Sequence, residues 1–393
     1  MSRRDRSESP WSLRYAPHAA VLGVGYTTFG YAGVPALYLD RFDIGFAAFG
    51  LLMSATLLPF VLVQPLTGRL VGRLTTARLL LWATAVHAAL ALVLDAAPSY
   101  VVLLGLRFLW GCAAGLLLSV GATHVARLHD GAAATRQQGV YGGMLTLGGA
   151  VGFLAAPRLA AAAAGVGIQA GGALLALPAV AALWRYRADR RTAATGTRTG
   201  DVSALSAVLD RAVLLAALFY VAIIGSYMTL STFVTAYFAD AGVTGPLNAA
   251  VLATASVGRA LGGGAVGRFA VDEAGLVGVT TGVAALGLGG LAVGAGGLLS
   301  VALPVAVMLA VSLPFGAVYN VAAGATEREG VALATVIAVG NVAALVLPAV
   351  TGALRDATGD YRGAFLLLCA LNVLAVGGAL LLVAGRRGEE TAP

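Results

Sequence analysis

Long apolar stretches, separated by short breaks rich in Gly, Pro and charge, run through almost all of the 393 residues. The breaks mark off twelve segments, and each exceeds or meets the roughly 20 residues that a helix needs to cross a bilayer. The spacing predicts spans at 16–39, 44–66, 78–97, 99–128, 135–157 and 160–185, then at 210–238, 247–266, 274–297, 299–325, 330–353 and 362–385. The polar stretch Met1–Pro10 precedes the first run without a small-residue cleavage pattern, so that run is expected as a transmembrane helix and not a removed leader.

One short Gly/Arg turn, Gly68-Arg69-Leu70-Val71-Gly72-Arg73-Leu74-Thr75, lies between two of the runs. Its pattern Gly-x-x-Val-Gly-Arg returns at Gly263, Gly267 and Arg268, 195 positions later. Gly149 and Pro157 in the fifth span are likewise matched by Gly340 and Pro348 in the eleventh, eight residues apart in both cases. Repetition at half the chain length predicts two related halves of six helices, 1–186 and 209–393, with 187–208 as a cytoplasmic linker. The expected fold is therefore an all-α membrane protein of twelve transmembrane helices.

Composition agrees: 59% of residues are hydrophobic and only 11% charged, with mean hydropathy +0.88, where soluble proteins carry charge on about a quarter of residues. The net charge of +7 does not point to nucleic acid, because the arginines sit between apolar runs and not on one polar face. Alternating sides along the twelve spans puts twenty arginines, Arg259 among them, on the side of the N-terminus. Four, Arg41, Arg158, Arg355 and Arg362, fall on the other, and Arg107 is left inside a span. Such a bias places both termini in the cytoplasm. All 25 basic residues are arginine, which excludes a phosphate-binding loop that needs lysine and a lysine Schiff base. Four scattered histidines and two cysteines within apolar runs supply no metal-ligand spacing, so neither a cofactor nor an enzyme is expected.

These residues resemble the major facilitator superfamily over nearly the full length. The loop between the second and third spans is similar to the family's Gly-x-x-x-Asp-Arg-x-Gly motif in Gly68, Gly72, Arg73 and the later Arg78, but Gly72 stands in place of the Asp and Thr75 in place of the second Gly. The resemblance implies a conformational role for Gly68, Gly72, Arg73, Gly263, Gly267 and Arg268, and the missing acid implies an altered cytoplasmic latch. Arg107 with Gly111 looks like the Arg-x-x-x-Gly motif of the family's fourth helix. Gly139, Gly142, Gly143, Gly148, Gly149, Gly152 and Pro157 loosely resemble the glycine-rich fifth helix of its antiporters, which implies export. Thr351 to Arg362, before Gly363-Ala364-Phe365, resembles its last outer loop.

In that fold the first, fourth, seventh and tenth helices line a central cavity, which selects the candidate binding residues. Helical spacing puts Thr27, Tyr31 and Tyr38 on one face, and Tyr220, Tyr227 and Ser231 on another. The tenth span adds Tyr319 and Asn320 with the helix-breakers Pro304 and Pro314, and the eleventh adds Asn341. Arg107 lies about 12 Å in from Ser99, near mid-membrane, where a guanidinium costs at least about 2.5 kcal/mol unless paired or wetted. No acid lies deep in a predicted span, so neutral or anionic solutes are expected in preference to cations. Asp40, His87 and His124 are the only candidates to carry a coupling proton.

The resulting expectation is a monomeric secondary transporter that moves a small-molecule substrate across the lipid bilayer by alternating access, coupled to protons or another ion. Substrate contacts are assigned to Arg107, Tyr31, Tyr227, Tyr319, Asn320, Thr27 and Asn341, and conformational gating also to Gly149, Pro157, Gly340 and Pro348. Efflux of a drug-like compound is the favoured direction; anion uptake by symport and a non-transporting membrane sensor are the alternatives. Lysine-free, Ala/Gly/Arg-rich usage points to a high-GC prokaryote and its cytoplasmic membrane.

Overall fold

The computed structural model describes residues 10–71, 73–129, 131–162, 167–186, 210–243, 245–268, 272–326 and 329–390. These residues form helices and no strand. In the first half they are α1 (Trp11–Phe29), α2 (Pro35–Phe42), α3 (Phe46–Leu62), α4 (Gln64–Val71), α5 (Thr76–Leu94), α6 (Tyr100–Leu128), α7 (Gly131–Ala162) and α8 (Ala170–Arg185). The second half holds α9 (Arg211–Asp240), α10 (Leu247–Arg268), α11 (Glu273–Ala292), α12 (Leu299–Ser312), α13 (Phe315–Gly324), α14 (Glu329–Thr358) and α15 (Arg362–Glu390).

Eight helical stretches among the described residues are long and apolar enough to cross a bilayer. They are α5, α6, most of α7, α9, α11, the α12–α13 run, most of α14 and most of α15. α2 and α3 would add a ninth if counted as one span, but they are bent by 106° at their junction. Asp43 ends α2 in the left-handed region at φ 49°, which a short polar side chain tolerates better than most. The first expected span is thus not one helix: α1 gives way to a 3-10 turn at Gly30–Gly33, and Pro35 starts α2.

The expected Gly/Arg turn is also shorter than the sequence pattern suggests. Gly68 lies within α4, with open space where a side chain would stand, and the chain turns only after Val71. Arg73 closes that turn through its amide to the Leu70 carbonyl, and Thr75 caps α5 by accepting from the Arg78 amide at 3.3 Å. Gly72 lies outside the described residues, as do the side chains of Gly263, Gly267 and Arg268, whose backbone ends α10. Helical hydrogen bonding outcompetes the glycine here, since one glycine costs a helix only about 1 kcal/mol.

The described residues fall into two compact units. One draws on Met1–Ile44, Leu51–Thr199 and Asn248–Ser256, the other on Gly45–Gly50, Gly200–Leu247 and Val257–Pro393. The helix pairings of the first return in the second. α1 packs on α7 and α8 as α9 packs on α14 and α15; α5 packs on α6 and α8 as α11 packs on α12 and α15. Close approach depends on glycine in the first unit: a Cβ at Gly111 or Gly115 of α6 would strike the α3 backbone at Thr56 or Phe60. In the second, Arg355 pairs with Asp240 at 2.7 Å, and Asp356 accepts from the Phe46 and Ala47 amides, both at 2.8 Å, so it caps the start of α3.

Candidate functional site

Arg107 is fully buried in α6, a helix begun by Ser99, whose hydroxyl accepts from the Val102 amide. Its Nε donates to the Leu52 carbonyl at 2.9 Å and to Thr56 Oγ1 at 3.0 Å, both on α3. Its Nη2 donates to the Thr28 carbonyl at 3.2 Å. Thr28 lies in the last turn of α1, where carbonyls lack an intrahelical partner, so the helix end supplies an acceptor. The guanidinium carbon stands 4.1 Å over the Tyr31 ring. Three acceptors and one ring face thus hold Arg107, which ties α1, α3 and α6 together.

Around this centre the other expected residues separate. The Tyr38 ring meets Tyr31 edge-on at 5.9 Å, while its hydroxyl bonds to Asp95 and accepts from Gln169 Nε2 at 3.1 Å. Thr27 does not join them. Its Oγ1 points at Gly172 of α8, on the packing side of α1, and it is buried without a hydrogen-bond partner. Of the proton candidates, Asp40 is exposed. His87 packs its ring on Trp110 at 5.4 Å, and His124 bridges Thr76 Oγ1 and the Leu13 carbonyl at 2.8 and 3.0 Å. Both histidines are buried packing elements of the first unit. Asp95, the residue that follows α5, is also buried, and burial pushes its carboxyl up to about 6 against the bonds it accepts.

The second unit holds a different aromatic cluster. Tyr220 and Tyr227 project from α9, and Phe315 and Tyr319 from α13, which Pro314 separates from α12. Tyr227 and Phe315 meet edge-on at 6.4 Å, Phe315 and Tyr220 at 5.9 Å, and Tyr220 and Tyr319 are tilted at 5.5 Å. Tyr319 donates to the Tyr220 hydroxyl at 3.0 Å. The Tyr220 ring is seated on Gly340 of α14, where any Cβ would collide with it. Asn341, the next residue, is half-buried, and Pro348 lies inside α14 without interrupting it. Gly149 and Pro157 are likewise internal to α7, with Gly149 packed on Phe29 and Leu252.

Two placements lay outside the sequence reading. Asn320 is exposed and donates to Glu273 Oε1 at 2.7 Å. It lines a cavity of about 440 Å³ with Asp210 and Arg211, turned about 100° around α13 from Tyr319. Arg259, counted with the cytoplasmic loops, sits twelve residues into α10. Its guanidinium carbon lies 4.4 Å over Phe315 and 4.8 Å over Tyr227. Sequence reasoning missed it although its depth, about 18 Å from the start of the helix, was there to be counted. The acids of this unit whose side chains are described, Asp210, Asp240, Asp272, Glu273, Glu329, Asp356 and Asp360, all stand at or near helix ends.

The sequence profile of the Major Facilitator Superfamily matches residues 19–327. No curated protein matches the chain significantly. Two solved structures share its fold, both of a bacterial homologue of the human lysosomal transporter Spinster, one inward-facing and unoccupied, the other inward-facing and occupied. Each is 15% identical, with a TM-score of 0.71 and 97% of both chains covered.

Proposed function

Because the chain belongs to the Major Facilitator Superfamily, and so is a multi-pass membrane transporter and not an enzyme, we propose that it exports a small organic solute, neutral or anionic, by alternating access. In this reading twelve spans in two six-helix halves rock about a midplane site in the cytoplasmic membrane of a prokaryote. The observation that carries the solute class is the pairing of Tyr31 and Tyr227, 196 positions apart, each with a guanidinium laid on its ring. Cationic and aromatic groups at mid-helix depth suit a partly apolar solute without positive charge. Tyr227, Tyr319 and Asn341 are its proposed contacts, with Arg107 and Tyr31 as the frame on the first unit. Gly149, Pro157, Gly340 and Pro348 are the proposed pivots.

A thermal-shift screen of neutral, anionic and cationic solutes on the purified chain tests the solute class, since a binder stabilises the folded state by mass action. Neutral or anionic stabilisers are expected, and a hit list of cations alone sinks the charge assignment. Inverted vesicles test direction: ATP-independent accumulation of a hit in their lumen supports export, and depletion supports uptake.

A further inference from the structure

We propose that Arg259, beside Tyr227 and Phe315, is the residue that recognises the acidic group of the solute, and that the preferred solutes are anions with a flat apolar body. The proposal rests on the transport reading above and names its substrate class.

Three features of α10 define the direction in which Arg259 works. Gly258 and Gly262 pack against α12 and the residue that follows it, where a Cβ would strike the Leu309 and Leu313 carbonyls respectively. Val257 and Leu261 are exposed apolar residues, 52% and 56% accessible, as suits a lipid-facing side. Arg259 lies two residues from each, which places it about 160° away on the opposite side of the helix. Its side chain accordingly reaches α9 and α13, onto the Tyr227 and Phe315 rings.

A guanidinium is flat, and its N–H groups donate from the edge, in the plane. The Phe315 and Tyr227 rings, at 86° to one another, hold the guanidinium carbon from two sides, so the group is positioned to meet a carboxylate, sulfonate or phosphate with little ordering left to do at binding. Unlike Arg107, Arg259 is only partly buried. The rings Tyr227, Phe315, Tyr220 and Tyr319 continue from it as an unbroken aromatic series. Tyr227 and Tyr220 are buried while Phe315 and Tyr319 are half-buried, so an acidic head at Arg259 brings an aromatic or similarly flat body against the latter two.

Three naphthalenes of one size test this on the purified full-length chain: 2-naphthoate, 2-naphthylmethanol and 2-naphthylmethylammonium. Dissociation constants are read from the thermal-shift titration. In the parent protein, naphthoate should bind at least tenfold more tightly than the alcohol, and the ammonium weakest. Arg259→Gln should erase the advantage of naphthoate over the alcohol, while Arg259→Lys, which keeps charge but not the planar fork, should retain part of it. A parent without preference for naphthoate, or an Arg259→Gln variant that keeps it, overturns the proposal. If Arg259→Gln does not fold, Arg259→Lys decides: undiminished naphthoate selectivity overturns the fork, and a reduced one supports it. Solute movement in proteoliposomes reports on the transport reading separately, because selectivity in detergent does not require movement.

Discussion

Tyr31, in the 3-10 turn after α1, and Tyr227, inside α9, each lie under a guanidinium, yet the two arginines are held in opposite ways. Arg107 is sealed: three acceptors on two neighbouring helices take its Nε and Nη2, and none of its surface is accessible. Arg259 is held by ring faces and keeps part of its surface accessible. The arginines also come from non-corresponding helices, since the half-chain offset of 195 places Gln64 opposite Arg259 and Ala302 opposite Arg107. The same arginine–tyrosine contact, built at unrelated positions in the two halves, separates two roles: a charge that fastens helices and a charge placed to meet a solute.

The sharpest way to break this contrast is Arg107→Gln. It removes three hydrogen bonds from a buried charge, to the Leu52 and Thr28 carbonyls and the Thr56 hydroxyl, and a loss of about 3 kcal/mol or more is expected. Differential scanning fluorimetry should show a large fall in midpoint; an unchanged midpoint would remove Arg107 from the frame. Next in size, Gly340→Leu forces a side chain into the Tyr220 ring and should cost about 1–3 kcal/mol. Its naphthoate affinity should fall with its midpoint, and full retention of both would show that the ring's seat is dispensable.

Asp95 extends the first cluster through Tyr38 to Tyr31 and makes its stability depend on pH. Its folded value of about 6 lies above the usual 3.8, so the folded chain holds a proton that the unfolded chain has released between those values. Stability is then highest below about pH 4, falls by about 2–3 kcal/mol as pH rises to 6, and stays level above. Asp95→Asn should flatten that slope in unfolding measurements from pH 4 to 7; an unaltered slope would assign it to other groups. Smaller still, Tyr319→Phe removes one hydroxyl–hydroxyl bond and should cost about 1 kcal/mol. The smallest stability effect is expected from Arg259→Gln, within about 1 kcal/mol, in line with stacked, partly exposed cations. A fall as large as that of Arg107→Gln would erase the distinction between the two.

Apolar run lengths made the helices legible in the sequence, whereas the packing pairs that α1, α7 and α8 share with α9, α14 and α15 are tertiary and were not spelled out there. The depth of Arg107 followed from counting residues, because only one helical register fits its run. Arg259 escaped since its run ends in a Gly/Arg pattern that reads as loop, which drew the whole segment toward topology. Helical spacing failed at Thr27: its hydroxyl points to Gly172 on the packing side of α1, while Tyr31 on the 3-10 turn and Tyr38 on α2 keep ring contact. Periodicity gives the face of a regular helix, but the partners that break or redirect it are tertiary.

The ring contact between His87 and Trp110 has an optical consequence. Trp110 is fully buried one helical turn from Arg107, whereas the other three tryptophans, Trp11, Trp82 and Trp184, are 76%, 61% and 56% accessible. A variant with those three changed to Phe leaves a single indole beside the frame. Its emission maximum would then register, in real time, whether this part of the molecule stays rigid while solute passes.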